Sequence, residues 1–170
     1  MSCKSGLMIT NCVLMYAALM SNFSVGITPE ASNITELTYC QSNLPANTLQ
    51  YSTLLVQNFK EKNIETAVKV MFCESRLKSS AYRWQADDSG LFQIIPATWG
   101  WVKEKYNIPY WDYPINNNYA QFIPKYNIEV AALLVQEMHS RNDYWKPWNS
   151  SKWCWEDNIT FKKIWEKEQY

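Results

Sequence analysis

Apolar residues recur at helical spacing in three stretches of the chain, with polar or irregular sequence between them. Ile64, Ala67, Val68 and Met71 fall at i, i+3, i+4 and i+7 and predict a helix over Ile64 to Ser75. Glu74 comes three residues after Met71 and four after Val70, which places a carboxylate on the apolar face near the helix end. Such a group costs free energy unless it has a partner or a function. Pro96 suits the first position of a second helix, Pro96 to Tyr106, with Trp99, Val102 and Tyr106 on one side and Trp99 expected in the core. A third helix, Asn127 to Ser140, carries Ile128, Ala131, Ala132, Val135 and Met138 as its stripe.

The intervals read differently. Arg76 to Ser89 is a polar loop holding Trp84 and the Asp87-Asp88 pair, and Gly90 to Ile95 is a short apolar run ending at Pro96. Asn107 to Pro124 is rich in Asn, Tyr and Pro and reads as irregular. Residues 27 to about 50, rich in Thr, Ser, Asn and Pro, read as a pro-segment, spacer or irregular arm rather than core. Arg141 to Tyr170 is dense in Trp and Lys; it is expected to wrap the domain and end in a short amphipathic helix. No internal repeat is visible.

Length and charge narrow the classes. A chain of 170 residues suits one domain with a real core. Sixteen basic and sixteen acidic residues cancel, which removes the electrostatic footprint of a nucleic-acid binder. The 9 Trp and 11 Tyr are many for this length, and flat rings with polar handles serve a core or a sugar-binding cleft. Lys4, the apolar run Leu7 to Met20, and the small residues Ser24 and Gly26 read as a cleaved secretory signal, with a retained membrane anchor as the alternative. No later segment is apolar enough to span a bilayer, so no membrane association is expected after signal cleavage. Cys3 and Cys12 would leave with the signal, and of Cys40, Cys73 and Cys154 two can pair. Asn22, Asn33, Asn149 and Asn158 each open an N-x-Ser/Thr sequon, of which the last three lie in the mature chain. There is no phosphate-binding glycine loop, nucleophile elbow or His-Glu-x-x-His motif, and the single histidine, His139, reads as a surface residue. No cofactor and no metal are expected.

Three pieces, in order, carry a resemblance: Cys73-Glu74-Ser75 at a helix end, Ser89 to Ile94 followed by Pro96-Ala97-Thr98-Trp99, and Asn127-Ile128 opening an Ala-containing helix. Over about residues 64 to 154 the chain resembles the transglycosylase domain of soluble lytic transglycosylases, whose relatives include goose-type lysozymes and resuscitation-promoting factors. The resemblance implies a mainly α, lysozyme-like α+β fold, with a short β-segment at the cleft and an irregular Trp-rich C-terminal segment. The expected organisation is a signal peptide over 1–26, an arm or spacer over 27–60, a catalytic domain over 61–155 and an amphipathic tail over 156–170. One departure is clear. The Ala-Tyr-Asn triplet usual before the Asn-Ile helix is missing, and Asn116 to Tyr119 lie nearby in a reshaped segment.

The same resemblance implies the chemistry. Glu74 corresponds to the general acid that protonates the leaving glycosidic oxygen, and an apolar setting keeps a carboxylic acid protonated for that task. The alternative is a structural carboxylate satisfied by Arg76 or Arg83. Asp87 and Asp88 occupy the loop where goose-type lysozymes hold a water, or else they shape the turn into Ser89-Gly90. Gln93 and Ser75 correspond to substrate-contacting residues, and Tyr82 and Trp84 can stack on sugar rings. Cys73 is implied to bridge to Cys154, as in resuscitation-promoting factors, with Cys40 left as the odd thiol. The expected protein is a secreted, monomeric glycosidase acting on the MurNAc-GlcNAc β-1,4 bond of peptidoglycan strands, by lytic transglycosylation or by hydrolysis, with antibacterial use open. A catalytically silent peptidoglycan-binding module and a small secreted interaction protein are the alternatives.

Overall fold

The computed structural model describes residues 5–23, 38–108, 120–139 and 143–167. Among the described residues the chain is mainly helical with one two-stranded antiparallel sheet, consistent with a lysozyme-like fold. It divides into two compact units, Met1–Lys69 with Trp153–Tyr170, and Val70–Lys152.

In the first unit, α1 (Ser5–Phe23) buries Ile9, Val13 and Ala17, one turn apart, together with Cys12 and Leu19. That stripe lies against α2 (Ser52–Asn58), whose Leu55 is fully buried. A disulfide joins Cys12 to Cys40. This corrects the expectation that Cys40 is the unpaired thiol. Residues 38–43 are helical, and Leu44, Leu49 and Tyr51 are buried, so the end of the stretch read as an irregular arm contributes to a core. Its Thr and Asn residues serve local turns, as where Thr48 Oγ1 donates to the Pro45 carbonyl at 2.6 Å. The helix expected from Ile64 begins earlier, as α3 (Glu61–Ser75). On it, buried Lys69 reaches both Glu65 and Asn158 and lies 5.9 Å from the Phe161 ring centre.

The second unit begins within α3. The segment read as a polar loop contains a small hairpin: β1 (Tyr82–Arg83) pairs with β2 (Asp88–Ser89), Tyr82 opposite Ser89 and Arg83 opposite Asp88. Polar strands this short carry no period-2 hydrophobic signal, which is why the alternation did not reveal them. α4 (Pro96–Tyr106) begins at Pro96 as expected, buries Trp99 and Val102, and ends with Asn107 in the left-handed conformation at φ 47°. α5 (Pro124–His139) starts at a proline three residues before the expected Asn127 and buries Asn127, Ile128, Val130, Ala131, Leu134 and Val135. Leu134 takes the place in the stripe expected of Ala132 and Met138, both half-buried, and His139 is exposed as expected. A 3-10 turn, Lys146–Ser151, leads into α6 (Lys152–Trp155), and α7 (Asn158–Lys167) is the short C-terminal helix. The irregular segment expected over Asn107–Pro124 falls mostly outside the described residues. No helix among the described residues is long and apolar enough to cross a membrane.

Candidate active site

The end of α3 is held by its own side chains. Arg76 and Leu77 both adopt left-handed backbone conformations, at φ 54° and 59°, so the helix cannot continue. Such conformations cost roughly 1–3 kcal/mol each and persist where the surroundings fix them. Here Leu77 is buried, and the Arg76 guanidinium donates to the Phe72 and Cys73 carbonyls at 2.9 and 3.0 Å. Ser75 is also buried, its hydroxyl turned back onto the Met71 carbonyl at 2.9 Å. The last-turn carbonyls are thus satisfied by groups from the helix end. Glu74 is left half-buried on the wall of a cavity of about 290 Å³, lined also by Arg83, Asp88, Gln93, Thr98 and Trp148.

A buried polar network holds the Ser89–Phe92 segment next to the cavity-lining Asp88 and Gln93. Asn127, fully buried on α5, accepts from the Phe92 N–H at 2.8 Å and donates to the carbonyls of Ser89 and Gln121 at 3.1 and 2.9 Å. The Ser89 hydroxyl donates to the Gln121 side chain. Gly90, at φ 79°, lies so close to the Asn127 amide and the Gln121 carbonyl that any Cβ would collide with both. The glycine of the sequence motif is therefore required by the asparagine of the other motif. Phe92 receives in turn a hydrogen bond at its carbonyl from the Trp148 indole, 2.8 Å away, with the two rings 5.5 Å apart.

The two aspartates differ. Asp88 is buried on the cavity wall and forms a two-oxygen ion pair with Arg83. Asp87, at φ 53°, is exposed in the hairpin turn and accepts from the Tyr82 hydroxyl at 2.9 Å, away from the lining. Gln93, at φ 47°, lines the cavity while its side-chain amide donates to the Ala81 and Gly90 carbonyls at 3.1 and 2.9 Å. Its side-chain oxygen is the polar atom left for a ligand. Tyr82 and Trp84 are exposed on the hairpin, Trp84 to 75%, and neither lines the cavity. Ser75 does not line it either.

Among the described residues no salt bridge joins Glu74 to Arg76 or Arg83; Arg83 pairs with Asp88 and acts on Glu74 through its charge. The hydrogen-bond partner of Glu74 is the Ser151 hydroxyl, which donates to Oε1 at 2.5 Å. Burial pushes the carboxyl above its ordinary range; the Ser151 hydrogen bond and the Arg83 charge oppose that, and the Asp88 charge adds to it. Ser151, Trp148 and Arg83 were not legible as site residues: Ser151 stands 77 positions from Glu74, and the Trp-rich run offered no periodicity to orient Trp148. Of the candidate sequon asparagines, Asn149 is exposed, Asn158 accepts from Lys69, and Asn33 lies outside the described residues. No cluster of metal-ligating side chains occurs among the described residues.

A mainly helical domain with a small antiparallel hairpin beside a cavity fits the lysozyme-like class. Residues 57–151 match the transglycosylase SLT domain, and the chain belongs to that family, which acts on peptidoglycan. Neither the curated proteins nor the solved structures provide a match.

Proposed function

We propose that this protein cleaves the MurNAc-GlcNAc β-1,4 bond of peptidoglycan with Glu74 as general acid, outside the cell. The observation that carries this reading is the half-buried carboxyl on the cavity wall, hydrogen-bonded by a hydroxyl and without a salt bridge among the described residues. Burial raises its pKa, which favours the protonated form that a general acid must have. In the step proposed, the C1–O bond of MurNAc breaks as the Glu74 proton passes to the leaving 4-oxygen of GlcNAc. The Glu74 carboxylate then takes the proton of the MurNAc 6-hydroxyl while O6 bonds to C1, giving a 1,6-anhydro end. The Asp88 ion pair favours this route, because a carboxylate held on both oxygens by Arg83 is poorly placed to activate water. Asp88 nonetheless lines the cavity, so hydrolysis is the second reading; Asp87 is a turn residue in either case. Gln93 offers its side-chain oxygen to the sugar, Trp84 and Tyr82 offer exposed rings beyond the cavity, and Ser75 supports the helix end.

Export is part of the proposal. Cys73 and Cys154 are each disulfide-bonded, and a bridge between them, as the resemblance implies, would need an oxidising compartment. Removal of residues 1–26 as a leader and the Cys12–Cys40 bond cannot hold in the same mature chain. The bond and the buried stripe of α1 favour retention, and a mature N-terminus near residue 27 would overturn that.

Mass spectrometry of products released from purified peptidoglycan tests the function. Anhydro-muropeptides are expected, and Glu74→Gln should reduce release by roughly 100-fold or more. Reducing ends with one added water would establish hydrolysis and promote Asp88. Binding to cell walls without release would leave a binding module, and undiminished release by Glu74→Gln would remove the assignment.

A further inference from the structure

We propose that Ser151 is a positioning residue for the acid: its hydroxyl holds Oε1 of Glu74 so that the proton to be donated sits on the other oxygen. The inference rests on the reading of Glu74 as general acid and concerns a residue outside every motif that carried that reading. The contact is 2.5 Å, and among the described residues no other hydrogen bond reaches the Glu74 carboxyl. The hydroxyl also lies 3.1 Å from the Trp148 carbonyl, and its single proton can serve only one acceptor at a time. The shorter contact, to the carboxyl oxygen, is the stronger one.

Ser151 is itself held in place. Its 3-10 turn is tied to the cleft by the Trp148 indole on the Phe92 carbonyl, and Phe92 is fixed through its N–H by Asn127. A continuous path of hydrogen bonds thus runs from the core of α5 to the one oxygen of Glu74 that is occupied. A side chain whose rotamer is fixed this way arrives at the substrate already oriented. Other groups cannot do the same work. Arg83, from β1, is committed to Asp88, and Asp88, from β2, cannot donate a proton while ionised. The opposite charges of these two act on Glu74 in opposite directions, which leaves the Ser151 hydroxyl as the group that both binds the carboxyl and favours its ionised form.

The sign of the effect follows. A hydroxyl donating to the carboxylate lowers the pH at which the acid loses its proton, so removing it raises that pH. Ser151→Ala should move the Glu74 carboxyl titration, and with it the alkaline limb of the pH–activity profile, upward by roughly one pH unit. Loss of orientation should lower kcat by about tenfold with KM little changed. Ser151→Thr keeps the hydroxyl and should restore both.

Ser151 is also the third residue of the Asn149 sequon, so Asn149→Gln, which removes the sequon and keeps the hydroxyl, is the control for any attached sugar. The experiment is a carbon-13 NMR titration of the Glu74 carboxyl, with pH–activity profiles on purified peptidoglycan, in the wild type, Ser151→Ala, Ser151→Thr and Asn149→Gln. An upward shift in Ser151→Ala alone establishes the role. An unmoved titration, or one moved equally in Ser151→Thr, overturns it, including where Ser151→Ala loses activity through a lower thermal midpoint. Glu74→Gln, run alongside, separates the two readings: if it stays active the acid assignment falls, whatever Ser151 does.

Discussion

The two units of the chain are built on different physics. The unit of Met1–Lys69 with Trp153–Tyr170 rests on apolar stripes one helical turn apart, such as Ile9, Val13 and Ala17, and on the Cys12–Cys40 bond. The unit of Val70–Lys152 buries Ser75, Asp88, Ser89, Gln121 and Asn127 beside its apolar core, and holds Arg76, Leu77, Asp87, Gln93 and Asn107 in left-handed conformations. Burial of polar groups and strained backbone both cost stability, and they are offset here by a connected set of hydrogen bonds. The lesson is that the cleft is positioned by a connected set of directional contacts, whereas the other unit rests more on apolar faces and a disulfide, with Thr48, Ser52 and Lys69 among its own buried polar residues.

The comparison can be broken first at Asn127. Asn127→Ala would leave the buried Phe92 N–H and the Gln121 carbonyl without their partner and open a space beside Gly90. A loss of about 3 kcal/mol and collapse of turnover are expected, measured by denaturant unfolding and product release. An effect below about 1 kcal/mol would show that water replaces the asparagine and that the network is not what fixes the cleft.

The matching test in the other unit is Cys12→Ser with Cys40→Ser. Cross-linking residues 28 apart constrains the unfolded chain by about 3.6 kcal/mol in the loop-entropy model, so a loss near that size is expected. Peptidoglycan release by the protein that remains folded should be unchanged. A large loss of turnover under native conditions would mean that the division of labour between the units is false.

The smallest effect sharpens the cost of the acid itself. Because burial raises the folded-state pKa of Glu74 above its unfolded value, the stability it contributes is present below the unfolded carboxylate range and is lost as pH rises through the folded value. Glu74→Gln should therefore melt with the wild type in acid and about 1–3 °C higher at neutral pH and above. A midpoint that falls at neutral pH would mean that the charge is stabilised in the fold, against the proposed role.

How much of this was legible varies by element. The helix ending at Ser75, the start of α4 at Pro96 and the burial of Trp99 follow from periodicity and proline chemistry, which act within a few residues. The hairpin Tyr82–Ser89 was hidden because four polar strand residues give no alternation to read. Cys40 was misassigned because pairing depends on the fold around α1, not on spacing. The pair Asp87-Asp88 was legible as chemistry but not as two separate roles, since adjacent residues in a turn diverge toward different partners.

By itself, then, the sequence determined where α3, α4 and α5 lie, that a carboxylate ends one of them on its apolar face, and that the ordered motifs match one family. Those are properties of near neighbours and of residue type. Only the tertiary structure decided which groups meet that carboxylate: Ser151 on Oε1, Arg83 held by Asp88, and Gly90 pressed against Asn127. The physical reason is that hydrogen bonds between residues tens of positions apart depend on distances that chain closure sets, and no local pattern encodes them.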